Sequence, residues 1–204
     1  MKKRKRILSI QKNNIFYIYI SKIKRFVENK ILKSKTNILL LLLIIFLILY
    51  ASIKLKLIFF VGLLSLIGSL SMIYIRYVPE LYVTGVELCM MATVLCAKVY
   101  GSTVGSFVGF FSLTAAFVIS GRIKYTYFIS ILALTIVGFI VPYFNLSITT
   151  LGITMTIIYD LIVLPLYVLT GSRIPSSIIY FISHVLFNYW VFSNLAPIIL
   201  KWMI

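Results

Sequence analysis

The sequence predicts an all-α fold: a polytopic transmembrane helical bundle with a six-helix core and an additional N-terminal transmembrane segment. Three observations predict it. Hydrophobic residues make up 62% of the 204, and the mean hydropathy is +1.10, far more apolar surface than one water-excluded core absorbs. Only four residues are acidic: Glu28, Glu80, Glu87 and Asp160. Finally, the apolar runs are unbroken and approach twice the segment of about ten alternating residues that an outer-membrane barrel strand requires. Ile, Phe and Tyr are abundant and favour strands in water. In hydrocarbon, however, a spanning segment must satisfy its own backbone hydrogen bonds, and a helix does so without a neighbour.

Residues 1–37 form a basic arm. It holds twelve of the twenty Lys and Arg, so the net charge of +16 belongs largely to this tail. Apolar residues such as Ile7, Ile15, Phe16, Ile23 and Phe26 alternate with the basic clusters. That pattern suits an interfacial amphipathic segment on anionic lipid head groups, where each basic residue in 2–35 contributes about 1 kcal/mol. Nucleic acid is the weaker partner, because the aromatic residues sit within apolar runs rather than between cations. The first long apolar run starts only at Ile38 and no small-residue cleavage site follows it, so the arm is expected to remain on the mature protein.

Charges, Gly and Pro divide the remainder into seven expected crossings: 38–53, 57–77, 82–99, 103–120, 125–144, 148–170 and 176–200. Residues 38–56 carry the additional segment, and 57–204 the six-helix domain. Pro79 with Glu80, Gly101, Gly121 with Arg122 and Lys124, Pro142 through Asn145, and Gly171 through Pro175 supply the turns. The first crossing is the least well bounded: sixteen residues give about 24 Å against a hydrocarbon core of about 30 Å. The tail sets the expected orientation, N-terminus cytoplasmic in the cell membrane, since the eight other basic residues split evenly between the two sides. The tripeptide Asn145-Leu146-Ser147 would then face outward as a glycosylation acceptor, a motif short enough to arise by chance. Cys89 and Cys96 are about 10 Å apart along one helix, too far to pair or to share a metal.

Ionisable groups inside spans cost about 2.5–3.5 kcal/mol each at the bilayer centre and point to function. There are three: Glu87, Asp160 and His184. Asp160 follows Tyr159 near the middle of its span and precedes Pro165, which frees the carbonyl of Leu161 and bends the helix. Glu87 is read as lying about one and a half turns into its helix. His184 and Asn188 are four apart and share a face with Tyr180 and Ser177. Two readings stand side by side: structural hydrogen bonds between helices, or a ligand site formed by Asp160, His184, Asn188 and Glu87 with Tyr159 beside them. No metal site, cofactor or catalytic motif is expected, since HExxH, CxxC and GxSxG are all absent. Gly101, Gly105 and Gly109 are spaced for close helix packing, and Ser65 and Ser69 form a second small-residue face offered to an external partner.

From about Leu57 onward the order of features resembles the S components of energy-coupling-factor transporters. The residues that carry the resemblance are VELCMMATVLCAKVYGSTVGSFVGFF, then ITTLGITMTIIYDLIVLPLYVLTG, then a last helix with SHVLFNYW. It implies a membrane subunit that binds a small solute for uptake and docks on a transmembrane coupling subunit with an ATPase, through a first core helix that carries Ser65 and Ser69 in place of the usual alanines. The chain has no GxxxxGK[ST] loop of its own. The MreD family of morphogenesis proteins is similar in size and helix count and implies a non-catalytic scaffold. A third alternative is an intramembrane enzyme, since His184 and Asn188 resemble the HxxxN element of CAAX-type intramembrane proteases, although the paired glutamates and Arg of that family's first motif are absent.

Overall fold

A computed structural model describes residues 35–204 apart from 79, 82, 83, 122 and 123, without the side chains of 35–37 and 51–54. The expected interfacial arm, residues 1–37, lies almost wholly outside the described residues. The described residues are helical, with no strand among them. They fall into two compact units that divide after Lys54, the second being Leu55–Ile204.

In the first unit, α1 runs Lys35–Lys54. Its twenty residues correspond to about 30 Å, longer than expected because the helix extends back through Lys35. From Leu39 to Tyr50 its side chains are apolar and exposed on every face.

The second unit contains α2 (Lys56–Leu70), the short α3 (Tyr74–Tyr77), α4 (Cys89–Tyr100), α5 (Ser102–Ile119), α6 (Tyr127–Ile140, continued by a 3₁₀ turn to Tyr143), α7 (Ile148–Leu169) and α8 (Ile174–Met203). Four helical stretches among the described residues are long and apolar enough to cross a membrane: Lys56–Tyr77, α5, α7 and α8. Exposed Phe107, Phe111, Phe128, Phe139, Leu161, Leu186 and Trp190 give α5, α6, α7 and α8 an apolar outer surface suited to lipid. Helix α4 is the hub. Every residue from Cys89 to Ala97 is buried, and the helix packs against α2, α5, α6, α7 and α8.

The unit has two distinct ends. At one, Lys56 Nζ donates to the Ile204 carbonyl (3.2 Å), Tyr100 Oη to the Lys56 carbonyl (3.3 Å) and Lys98 Nζ to the Phe144 carbonyl (3.4 Å). Near this end the helices approach closely. A Cβ on Gly138 would meet the backbone of Gly105 and Ser106, and one on Gly109 would lie 2.9 Å from the Leu134 carbonyl. Gly105 itself rests on Ala97, and Gly152 on the ring of Phe192. Ser106 Oγ donates to the Thr135 carbonyl across the α5–α6 seam (3.0 Å). The opposite end gathers the segment before α4, the α5–α6 connection and the turn between α7 and α8.

Four sequence expectations change here. The third crossing was expected over 82–99, but α4 begins only at Cys89, and the chain reaches it through a non-helical segment at 84–88. Gly85 explains part of this: its backbone lies so close to His184 that a Cβ would come 2.7 Å from the His184 Cα. Glu87 is therefore not inside a helix but just before one. Gly101 has open space around it and φ +92°, so it serves the turn between α4 and α5 rather than a packing seam. Finally, Ser65 and Ser69 face inward rather than toward a partner. Both are buried, and between them Gly68 packs against Cys89 and Ser112. The outward face of α2 is formed instead by residues such as Ile58, Leu63, Leu66 and Leu70.

Candidate functional site

The three ionisable groups singled out from the sequence converge on one point. His184, from α8, places Nδ1 2.8 Å from Asp160 Oδ1 on α7 and Nε2 3.3 Å from Glu87 Oε1. His184 and Asp160 are fully buried and Glu87 is 7% exposed. The spacing of His184 and Asn188 places both on the inner face of α8, as expected. Asn188 Nδ2 donates to the His184 carbonyl (3.0 Å), one turn back.

Glu87 is held from the other side by α4. Its carboxylate accepts from the backbone N–H of Cys89 and from that of Met90 (3.1 Å to Oε2), so it caps the helix N-terminus. The segment that carries it is pinned at several points. Leu88 N–H donates to Ser71 Oγ (3.0 Å), which donates to the Gly68 carbonyl (2.6 Å). Gly85 N–H donates to Ser183 Oγ (3.1 Å), and Tyr74 Oη to the Val86 carbonyl (2.9 Å). Glu87 thus joins the N-terminus of α4 to α7 and α8 through a single imidazole.

The proton inventory constrains the trio. A neutral imidazole carries one N–H, whereas two carboxylates address its two nitrogens. Either the ring is an imidazolium or one carboxyl group holds a proton. The three groups together therefore carry at most one net negative charge. Asp160 Oδ2 and Asn188 Oδ1 are buried with no hydrogen-bond partner among the described residues. Both are acceptors, so the unmet demand of this buried cluster is for hydrogen-bond donors or positive charge.

Beside the trio lies a cavity of about 540 Å³. Glu87 and Tyr159 contribute to its wall, whereas Asp160, His184 and Asn188 stand behind it. Tyr180 stacks its ring obliquely on His184, with centroids 5.1 Å apart, and Tyr159 meets the same imidazole edge-on at 5.6 Å. Both tyrosines line the cavity, so aromatic faces separate most of the imidazole from it. Tyr167, also on the wall, is fixed by a 2.7 Å hydrogen bond with Ser130 on α6. The mouth is marked by exposed Gly171, Ser172 and Arg173 from the α7–α8 turn. Among the described residues no carboxylate pairs with Arg173. Lining by Thr84–Glu87, by Ser120, Lys124 and Thr126, and by Gly171–Arg173 places the mouth at the end of the unit opposite Lys56, Lys98 and Ile204.

Sequence reasoning found the polar stripe Ser177, Tyr180, His184 and Asn188. It missed Ser71, Gly85, Ser130 and Tyr167, which position the cavity walls and the Glu87 segment. Ser71 and Gly85 flank a turn region that resembled an ordinary connection between spans. Ser130 and Tyr167 sit in apolar runs with no distinctive spacing. Among the described residues no group of three or more His, Cys, Asp or Glu is arranged to hold a metal ion. In comparison with known proteins, the chain matches no family model, no curated protein and no solved structure.

Proposed function

We propose that this chain is an integral membrane subunit that binds a small solute for uptake, in the manner of the S components it resembles, with the energy supplied by an ATP-hydrolysing partner. The observation that carries the reading is the cavity of about 540 Å³, walled by tyrosines, hydroxyls and a nearly buried carboxylate within an otherwise apolar helical unit. Its volume lies within the range of about 300–1,000 Å³ common to small-molecule sites. A bundle that needed only structural hydrogen bonds would gain nothing from keeping Tyr159, Tyr167 and Tyr180 around open space rather than closing on them.

Under this reading residues 57–204 make six crossings. The shorter α4 and α6 complete theirs with the 84–88 segment and the 3₁₀ turn. Capture from outside requires the mouth at Arg173 to face outward. That condition is met when residues 38–53 do not add a seventh crossing behind a cytoplasmic arm. A membrane-impermeant thiol reagent on intact cells should therefore label Arg173→Cys. Protection of that position until the cells are opened would turn the mouth toward the cytoplasm and end the uptake reading.

The intramembrane-enzyme alternative gains little, because both imidazole nitrogens of His184 face carboxyl groups and no serine or cysteine among the described residues is hydrogen-bonded to the ring. The scaffold alternative rests on the basic arm.

Native mass spectrometry of the purified full chain tests solute binding directly. The expected spectrum has a small-molecule adduct that Ser177→Trp, which fills the mouth, removes. A solute-free spectrum that is the same for both proteins would contradict the reading.

A further inference from the structure

The cavity is not uniform in charge. At its inner wall lies Glu87, 7% exposed and backed by the His184–Asp160 pair, so two carboxyl groups share one imidazole there, with two unpartnered buried oxygens behind them. At its mouth lie two exposed cations, Lys124 and Arg173, the latter unmatched by any carboxylate among the described residues. Between them stand the tyrosine rings of Tyr159, Tyr167 and Tyr180.

Each zone favours a different part of a ligand. A carboxylate in a low-dielectric wall attracts a cationic nitrogen more strongly than it would in water. The adjacent tyrosine faces add cation–π attraction of about 0.5–2 kcal/mol. Glu87 retains acceptor capacity, since a carboxylate offers about four lone-pair sites and here meets His184 Nε2 and accepts from Cys89 N–H and Met90 N–H. Arg173 presents a planar fork of donors suited to a carboxylate or phosphate.

Resting on the solute-binding reading above, we infer that the cavity takes an amphoteric small molecule, with a cationic nitrogen directed inward to Glu87 and the tyrosines and an anionic group held at the mouth by Arg173. An anion alone would meet the carboxylate wall, and a neutral solute would leave both charged groups unanswered.

A matched series on one ring tests this: 4-(aminomethyl)benzoate, benzylamine, benzyl alcohol and benzoate, each titrated against the purified full chain with thermal unfolding as the readout. The expected order of stabilisation is 4-(aminomethyl)benzoate, then benzylamine, then the other two. Arg173→Ala should sharply reduce the advantage of the zwitterion over benzylamine, with Lys124 left at the mouth, while leaving benzylamine's own shift intact, and its exposed position keeps the substitution out of the core. Stabilisation led by benzoate, or equal across the series, would overturn the amphoteric assignment and leave solute binding standing. Failure of all four compounds, together with no adduct in native mass spectrometry, would remove the solute-binding reading and this inference with it.

Discussion

The two ends of residues 55–204 use opposite means to hold helices together. Near Lys98 and Phe144 the helices meet through missing side chains: Gly105, Gly138 and Gly152 bring backbone against backbone, methyl or ring, and leave no room. Toward Arg173 they are tied by polar groups, the Glu87–His184–Asp160 chain and the Ser130–Tyr167 hydrogen bond, around open space. Dispersion forces close the first end, because in lipid close packing is the main attraction between helices. Charge and hydrogen bonding hold the second end at a distance. A polar cluster that spans a gap can keep a cavity from collapsing, which a glycine seam cannot do.

The largest expected effect comes from breaking the polar tie. His184→Ala leaves Asp160 and Glu87 as neighbouring buried carboxylates without their shared partner, a loss of about 3–5 kcal/mol. It should appear as a sharp fall in the thermal midpoint of the detergent-solubilised protein. A midpoint close to wild type would mean that the trio does not hold this end together.

Overpacking the seam should come next. Gly138→Leu drives a side chain into the backbone of Gly105 and Ser106. The usual cost of overpacking is about 1–3 kcal/mol, and the smaller yield of monodisperse protein on size-exclusion chromatography measures it. Glu87→Gln should cost less, about 1 kcal/mol, because the amide keeps one oxygen for the α4 cap while losing the charge that faces His184. The comparison sharpens if this variant weakens benzylamine binding more than it lowers the thermal midpoint. Gly62→Leu should change stability by less than about 0.5 kcal/mol, since a Cβ there meets nothing within 4 Å. A larger loss would show that the outer face of α2 is covered by something beyond these residues.

Much of the polar end was legible in the sequence. His184 and Asn188 share a face because they are four apart, and Asp160 stood out as a mid-span acid. Helical class follows from run length and composition, whereas of the seven crossings expected only four helices among the described residues are long and apolar enough to span a membrane. What could not be read was where a helix begins inside an apolar run. Nothing in GVELCMM signals that Gly85 lies against α8, or that Glu87 turns back to cap Cys89 and Met90. The inward turn of Ser65 and Ser69 was equally hidden, because small residues pack as well inside a bundle as against a partner. Gly105 and Gly109 were recognisable by spacing, whereas their partners Gly138 and Leu134 lie on another helix, beyond the reach of local periodicity.

The central claim is that polar ties keep an open, water-accessible cavity within this unit while the rest of its core is sealed. Thiol labelling tests it most directly. The native cysteines, Cys89 and Cys96, are both fully buried and provide a quiet background. Ser130 and Ser112 are also both buried, at 3% and 0% exposure, but only Ser130 lies on the cavity wall. A small water-soluble methanethiosulfonate reagent should therefore modify Ser130→Cys in the folded protein and leave Ser112→Cys untouched. Equal inertness of the two positions would contradict an open cavity and the function proposed from it.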